Sequence, residues 1–145
     1  MSGENNTESL SEEQGASRTD EYWNGYRVRY DKAYLMETMR KLGISDEVTA
    51  DLTTRAVACY VVKYGKTMSA IYEHLAESTG VGSNAIAMRI KRGLNEAEMK
   101  GSLKYIDNIV SGAVYDYDYG YTAKEFVALL ASNICDLNKV EINKL

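Results

Sequence analysis

The 145 residues suit a single domain large enough to bury its own core, and the lack of any long apolar run argues against a transmembrane helix. The acidic, polar start lacks the basic and apolar segments of a secretion signal, so a cytoplasmic location with no membrane partner is expected. The net charge of −4 argues against a uniformly basic nucleic-acid binder, but the charge is uneven. Residues 1–21 set Glu4, Glu8, Glu12, Glu13, Asp20 and Glu21 against Arg18 alone, which leaves the remainder slightly positive. Residues 86–104 gather Arg89, Lys91, Arg92, Lys100 and Lys104 against Glu96 and Glu98.

Residues 1–21 hold a single leucine and too little apolar surface to offset the entropy of ordering, so they read as a disordered acidic tail. Residues 22–30, YWNGYRVRY, read as an aromatic-basic arm whose Trp and Tyr rings pack on the domain, with contact to nucleic acid as the alternative. From Asp31 the helical signals follow in order, through a helical domain spanning residues 31–138. Asp31 caps a helix with Leu35, Met36, Met39 and Leu42 in one stripe, ended at Gly43. Ser45 caps a longer one that turns Val48, Leu52, Ala56, Cys59, Tyr60 and Lys63 to one side and ends at Gly65. Thr67 caps a third, with Met68, Ile71, Tyr72, Leu75 and Ala76 inward until Gly80. Ser83 opens a fourth that reaches Lys100, and a short helix follows at about residues 103–110. Thr122 and Glu125 form a T-x-x-E capping box ahead of Phe126, Leu129, Leu130 and Ile134. Residues 139–145 form the C-terminal end. With no proline and glycine at nearly every boundary, the expected fold class is all-α, a bundle of about six helices. Only residues 114–122, VYDYDYGYT, alternate with period two and read as an extended connection anchored by tyrosines.

The stretch LAESTGVGSNAIAMRI has the spacing of a helix-turn-helix. Ala76 is small where a second helix would cross, Gly80 suits a left-handed turn, and Val81 with Ile86 would wedge the helices apart at a fixed angle. At about 100° per residue, Ile86, Ile90, Gly93, Leu94 and Ala97 share one side of the second helix. Asn84, Met88, Lys91, Arg92 and Asn95 lie opposite, with Ala85 and Arg89 flanking. Cationic and amide groups near the start of such a helix suit a DNA major groove. Arg89, Lys91, Arg92, Lys66 and Lys100 suit phosphates, Asn84 an adenine edge, and Ala85 or Met88 a thymine methyl. Ser83, at the helix start, suits a further phosphate. The expected partner is double-stranded DNA and the expected role transcription regulation.

RKLGISDEVTADLTTRAVACYVV, IYEHLAESTGVGSNAIAMRIKRGLNEAEMKG and GYTAKEFVALLASNI occur in an order that resembles the C-terminal DNA-binding effector domain of the stage-zero sporulation response regulators. The resemblance runs from about residue 35 to residue 134 and implies a six-helix, DNA-binding bundle. Where that family reads bases with Arg, Glu and Arg, this chain has Ala85, Ala87 and Met88. Ile86 and Ile90 are kept, Lys91 replaces an arginine and Arg92 a histidine. The resemblance therefore implies the family's docking mode with a different target. It also implies paired binding as a homodimer on DNA, whereas RNA polymerase or a homologous full-length regulator is the expected partner of the rival interaction module described below. Too few residues precede the bundle for the family's receiver domain, so control by abundance or by a partner is expected.

No enzyme, cofactor or metal is expected. His74 is the only histidine and no cysteine stands at metal-ligand spacing from it. Gly80–Val81–Gly82 is too short for a phosphate-cradling loop and follows a helix. Cys59 and Cys135 read as reduced thiols. The rival expectation is a protein-interaction module derived from such a domain, using the tyrosines of residues 115–121 and dispensing with base readout.

Overall fold

Tyr22–Trp23–Asn24–Gly25–Tyr26 builds a tight β-hairpin where an arm packed on the domain was expected. In the computed structural model, which describes residues 18–62, 67–112 and 120–145, Asn24 and Gly25 both have positive φ, 53° and 82°. That is the two-residue turn whose twist matches paired strands. It joins β1 (Arg18–Trp23) to β2 (Tyr26–Asp31) in register Trp23↔Tyr26 through Arg18↔Asp31. The C-terminal segment supplies β3 (Val140–Lys144), antiparallel to β2, in the order β1-β2-β3.

The fold is therefore mixed α/β rather than all-α. Two boundaries move with it. Arg18–Glu21, assigned from sequence to the disordered tail, are strand residues, and the C-terminal end closes a sheet. Residues 1–17 lie outside the described residues. Period two explains the hairpin physically. Glu21, Val28 and Tyr30 face the helices and are buried, while Asp20 and Arg29, directly opposite each other, pair across the other face at 2.9 Å.

The helices are α1 (Lys32–Lys41), α2 (Glu47–Tyr60), α3 (Met68–Thr79), α4 (Ser83–Met99) and α5 (Ala123–Asp136), with a 3-10 helix at Leu103–Asn108. The Asp31 and Thr67 caps form as expected: Asp31 accepts from the Tyr34 N–H and Thr67 from the Ala70 N–H. The capping box closes in both directions, Thr122 Oγ1 accepting from Glu125 N and Glu125 Oε1 from Thr122 N. The α2 cap is Asp46, not Ser45. Its carboxylate takes the Thr49 N–H at 2.9 Å, and Ser45 instead accepts from Lys100. Nine of the fourteen α2 residues are buried, which makes α2 the central helix, touching the sheet and the other α helices. Val48, placed on its inner side from the spacing, is 54% exposed at the helix start. α2 ends at Tyr60, and the Lys63, Gly65 and Lys66 readings lie outside the described residues.

Gly93 marks where α4 crosses α2. A Cβ there would stand 2.7 Å from Thr49 Cγ2, so the glycine permits an approach that any side chain would push apart. At the other end of the bundle, the buried Asn133 of α5 accepts from Tyr34 Oη and donates to the Ile109 carbonyl, tying α5 to α1 and to the 3-10 segment. No helix among the described residues is long and apolar enough to cross a membrane.

Candidate nucleic-acid interface

The turn between α3 and α4 is assembled as its residues dictate. Gly80 closes α3 in the left-handed region at φ 78°, its N–H bonded to the Ala76 carbonyl. Thr79 Oγ1 accepts from the Val81 N–H and donates to the Leu75 carbonyl. α4 then begins at Ser83 behind Gly82, with no side chain among the described residues capping it. The first N–H groups of α4 thus open toward solvent, an arrangement that suits an anion.

The five positions read as the inner side of α4, Ile86, Ile90, Gly93, Leu94 and Ala97, are its buried residues. Ile86, fully buried, wedges the two helices. Val81 does not share that task, because 38% of its surface is exposed. With its apolar side locked against α2 and α3, α4 turns Asn84, Ala85, Met88, Lys91, Arg92 and Asn95 outward. Ser83 and Ala87 are half-buried at the margin, and Met88 is about half exposed at the centre of the stripe.

Two of the expected phosphate contacts change character. Lys100 is tied down, its Nζ donating to Gly43 O at 3.2 Å and Ser45 Oγ at 3.1 Å and standing 3.5 Å from Glu96. It fastens the end of α4 to the α1–α2 loop. Arg89 stays exposed, but its Nη1 lies 3.6 Å from Asp46 Oδ2. Lys66 lies outside the described residues, as do residues 113–119, which hold most of the tyrosine-rich stretch. Lys91 and Arg92 remain exposed cations of the outer face.

Asp46 therefore serves two elements. Its carboxylate takes the Thr49 hydroxyl at 2.6 Å and the Thr49 N–H, and it faces Arg89. Those bonds, the hydroxyl foremost, hold its pKa below the ordinary 3.8. Asp46→Asn keeps a good N-cap while removing the charge that holds Arg89. On the expected DNA-binding role, its affinity for duplex DNA should rise, with the log K against log salt slope steepening by up to about 0.9, measured by anisotropy titration at several salt concentrations. Stability should show the opposite pattern. A carboxylate whose folded pKa is lowered stabilises above its unfolded pKa and loses that contribution as pH falls through the folded value. The stability advantage of wild type over Asp46→Asn is therefore expected at neutral pH and to close below about pH 3.8, followed by urea denaturation.

A second polar cluster, unforeseen from the spacing, lies under the hairpin. Arg55 on α2 grips both oxygens of Glu21, at 2.7 and 2.8 Å, and His74 Nε2 donates to Oε2 at 2.7 Å. Nε2 must carry the proton, because an ionised carboxylate only accepts. The Trp23 ring tilts against His74 with centroids 5.0 Å apart. Burial alone would raise the Glu21 pKa, but the bonds and charges of Arg55 and His74 outweigh it and the net shift is downward. Burial also drives the Cys59 thiol and the Tyr30 phenol far up. The missed signal was alternation: Glu21 and Trp23 share one strand face with Thr19.

No family model, curated protein or solved structure matches the chain.

Proposed function

We propose that the protein is a sequence-specific DNA-binding transcription regulator acting in the cytoplasm, with α4 entering the major groove of double-stranded DNA. One observation carries this reading: the α4 stripe Asn84, Met88, Lys91, Arg92 and Asn95 faces outward from a helix-turn-helix whose opposite face is fully packed. A rigid helix presenting amide and cationic groups on one face combines the two components of recognition. Lys91 and Arg92, with Arg89 when Asp46 releases it, neutralise phosphates and set the register. Asn84 offers a bidentate partner for adenine, and Ala85 and Met88 offer apolar contact to thymine methyls. The uncapped first turn of α4 receives a phosphate between these groups.

This composition favours A·T-rich sites. Each matched base contact is worth about 1–3 kcal/mol of discrimination, and α4 carries no exposed arginine within its first turn to read guanine.

Backbone amide NMR on the full chain tests the reading directly. Adding an A·T-rich duplex is expected to shift the Ser83–Asn95 amides and leave those of α5 unmoved. Shifts confined to α5 or to the sheet would place the contact elsewhere and defeat the proposed docking.

A further inference from the structure

We propose that Glu21, Cys59 and His74 form a binding site for one divalent transition-metal ion of the zinc type. The proposal is independent of the DNA-binding reading. The three side chains come from β1, α2 and α3, and their potential ligand atoms all lie within 4.8 Å of one another. Glu21 and Cys59 are buried, and His74 is largely so. One carboxylate oxygen, one thiol sulfur and one imidazole nitrogen make a mixed donor set. It suits a borderline-soft ion, because magnesium and calcium favour oxygen alone.

Three further features of the cluster fit an ion. Arg55 bonds Glu21 and the Trp23 ring packs against His74, as outer-shell groups orient ligands. A carboxylate has lone pairs enough to keep the Arg55 bonds and still bind an ion. A cavity of about 360 Å³, lined in part by Glu21, Tyr30, Arg55 and His74, gives an entry path. Tyr30 lines that cavity, and its buried hydroxyl finds no hydrogen-bond partner among the described residues. A water completing the coordination of an ion with three protein ligands would give that hydroxyl a partner.

The proton balance is simple. The ion replaces the hydrogen bond between His74 Nε2 and Glu21 Oε2, and these atoms separate from 2.7 Å to admit metal–ligand bonds of about 2 Å. In the bound state the imidazole is neutral with its proton on Nδ1 and the Cys59 thiol has given its proton to solvent, so one proton leaves per ion when His74 starts as imidazole and two when it starts as imidazolium.

The test is Co²⁺ titration of the chelator-stripped full chain, in a Cys135→Ser background that removes the exposed thiol. The expected result is saturation at one ion per chain, with a sulfur-to-cobalt charge-transfer band that Zn²⁺ bleaches. Cys59→Ser should abolish the band. His74→Gln should weaken affinity more than about 100-fold, since outer-shell changes alone cost 10–100-fold. Should Cys59→Ser fail to fold by circular dichroism, His74→Gln, at a side chain that keeps about 20% of its surface exposed, decides. No saturable signal in the parent chain, a band that survives Cys59→Ser, or unchanged affinity in His74→Gln overturns the site.

Discussion

Reversing Lys91 and Arg92 together to glutamate is expected to reduce DNA affinity more than 100-fold while leaving the fold intact. Both side chains are exposed on α4. Surface changes of this kind shift stability by about 0.5 kcal/mol or less. Each lost phosphate contact removes about 0.9 from the magnitude of the salt slope, which at 0.1 M salt is about 0.9 of a decade in affinity. Two lost contacts give roughly 60-fold. The two new carboxylates repel the same phosphates at short range and carry the loss past 100-fold. The variant's slope should flatten by about 1.8. Anisotropy titration of a labelled duplex, beside circular dichroism to check folding, measures all three quantities. Unchanged affinity in a folded variant would remove α4 from the interface. A protein partner captured equally well by both forms would favour the interaction-module alternative.

Glu21→Ala is expected to cost about 3 kcal/mol, far more than an ordinary polar substitution. The substitution strips Arg55 of both its carboxylate bonds and His74 of its acceptor, in a site where Glu21 is 5% exposed. Removing one member of a buried pair typically costs 3–5 kcal/mol because the other charge is left uncompensated. The lower end applies here, since the Arg55 side chain is 17% exposed and keeps its bond to Ser78. For a chain of this length that is a fall in Tm of about 10 °C. Urea denaturation in chelator-treated buffer measures it, with an unchanged m-value as the sign that compactness is preserved. A loss under about 1 kcal/mol would mean that the hairpin is not fastened through Glu21.

That carboxylate also shows where the sequence was hard to read. Glu21 sits among acids and small polar residues whose composition indicates disorder, and composition averaged over 21 residues hides a strand that starts at Arg18. The contrary signals were present. Asn-Gly between two alternating runs is a strong hairpin signature, and Arg18–Trp23 places Thr19, Glu21 and Trp23 on one side. The third strand was less legible, because Val140–Lys144 is short and pairs with a segment more than a hundred residues earlier. Helices were easier, since period and caps are local. The inner stripe of α4 and the Thr122–Glu125 box follow from spacing alone. Asp46 displaced Ser45 as a cap because both residues can serve and only the three-dimensional position of Lys100 separates them. The same limit governs the candidate interface. A helical wheel finds which residues face outward, but it cannot show that Lys100 turns back to Gly43 or that Asp46 meets Arg89. The approach of Cys59 to His74 is likewise tertiary, made by packing α3 on α2.

The central claim is that α4 binds duplex DNA. Titrating the full chain into random-sequence duplex at several salt concentrations, then selecting and sequencing the tightest-bound molecules, tests it most directly. With Lys91 and Arg92 engaged and Arg89 shared with Asp46, log K should fall with log salt at a slope of about −2 to −3 per chain. The selected pool should be enriched in an A·T-containing motif. Absence of binding at low salt, or a binding curve with no salt dependence, would contradict the account and leave the helix-turn-helix as a scaffold.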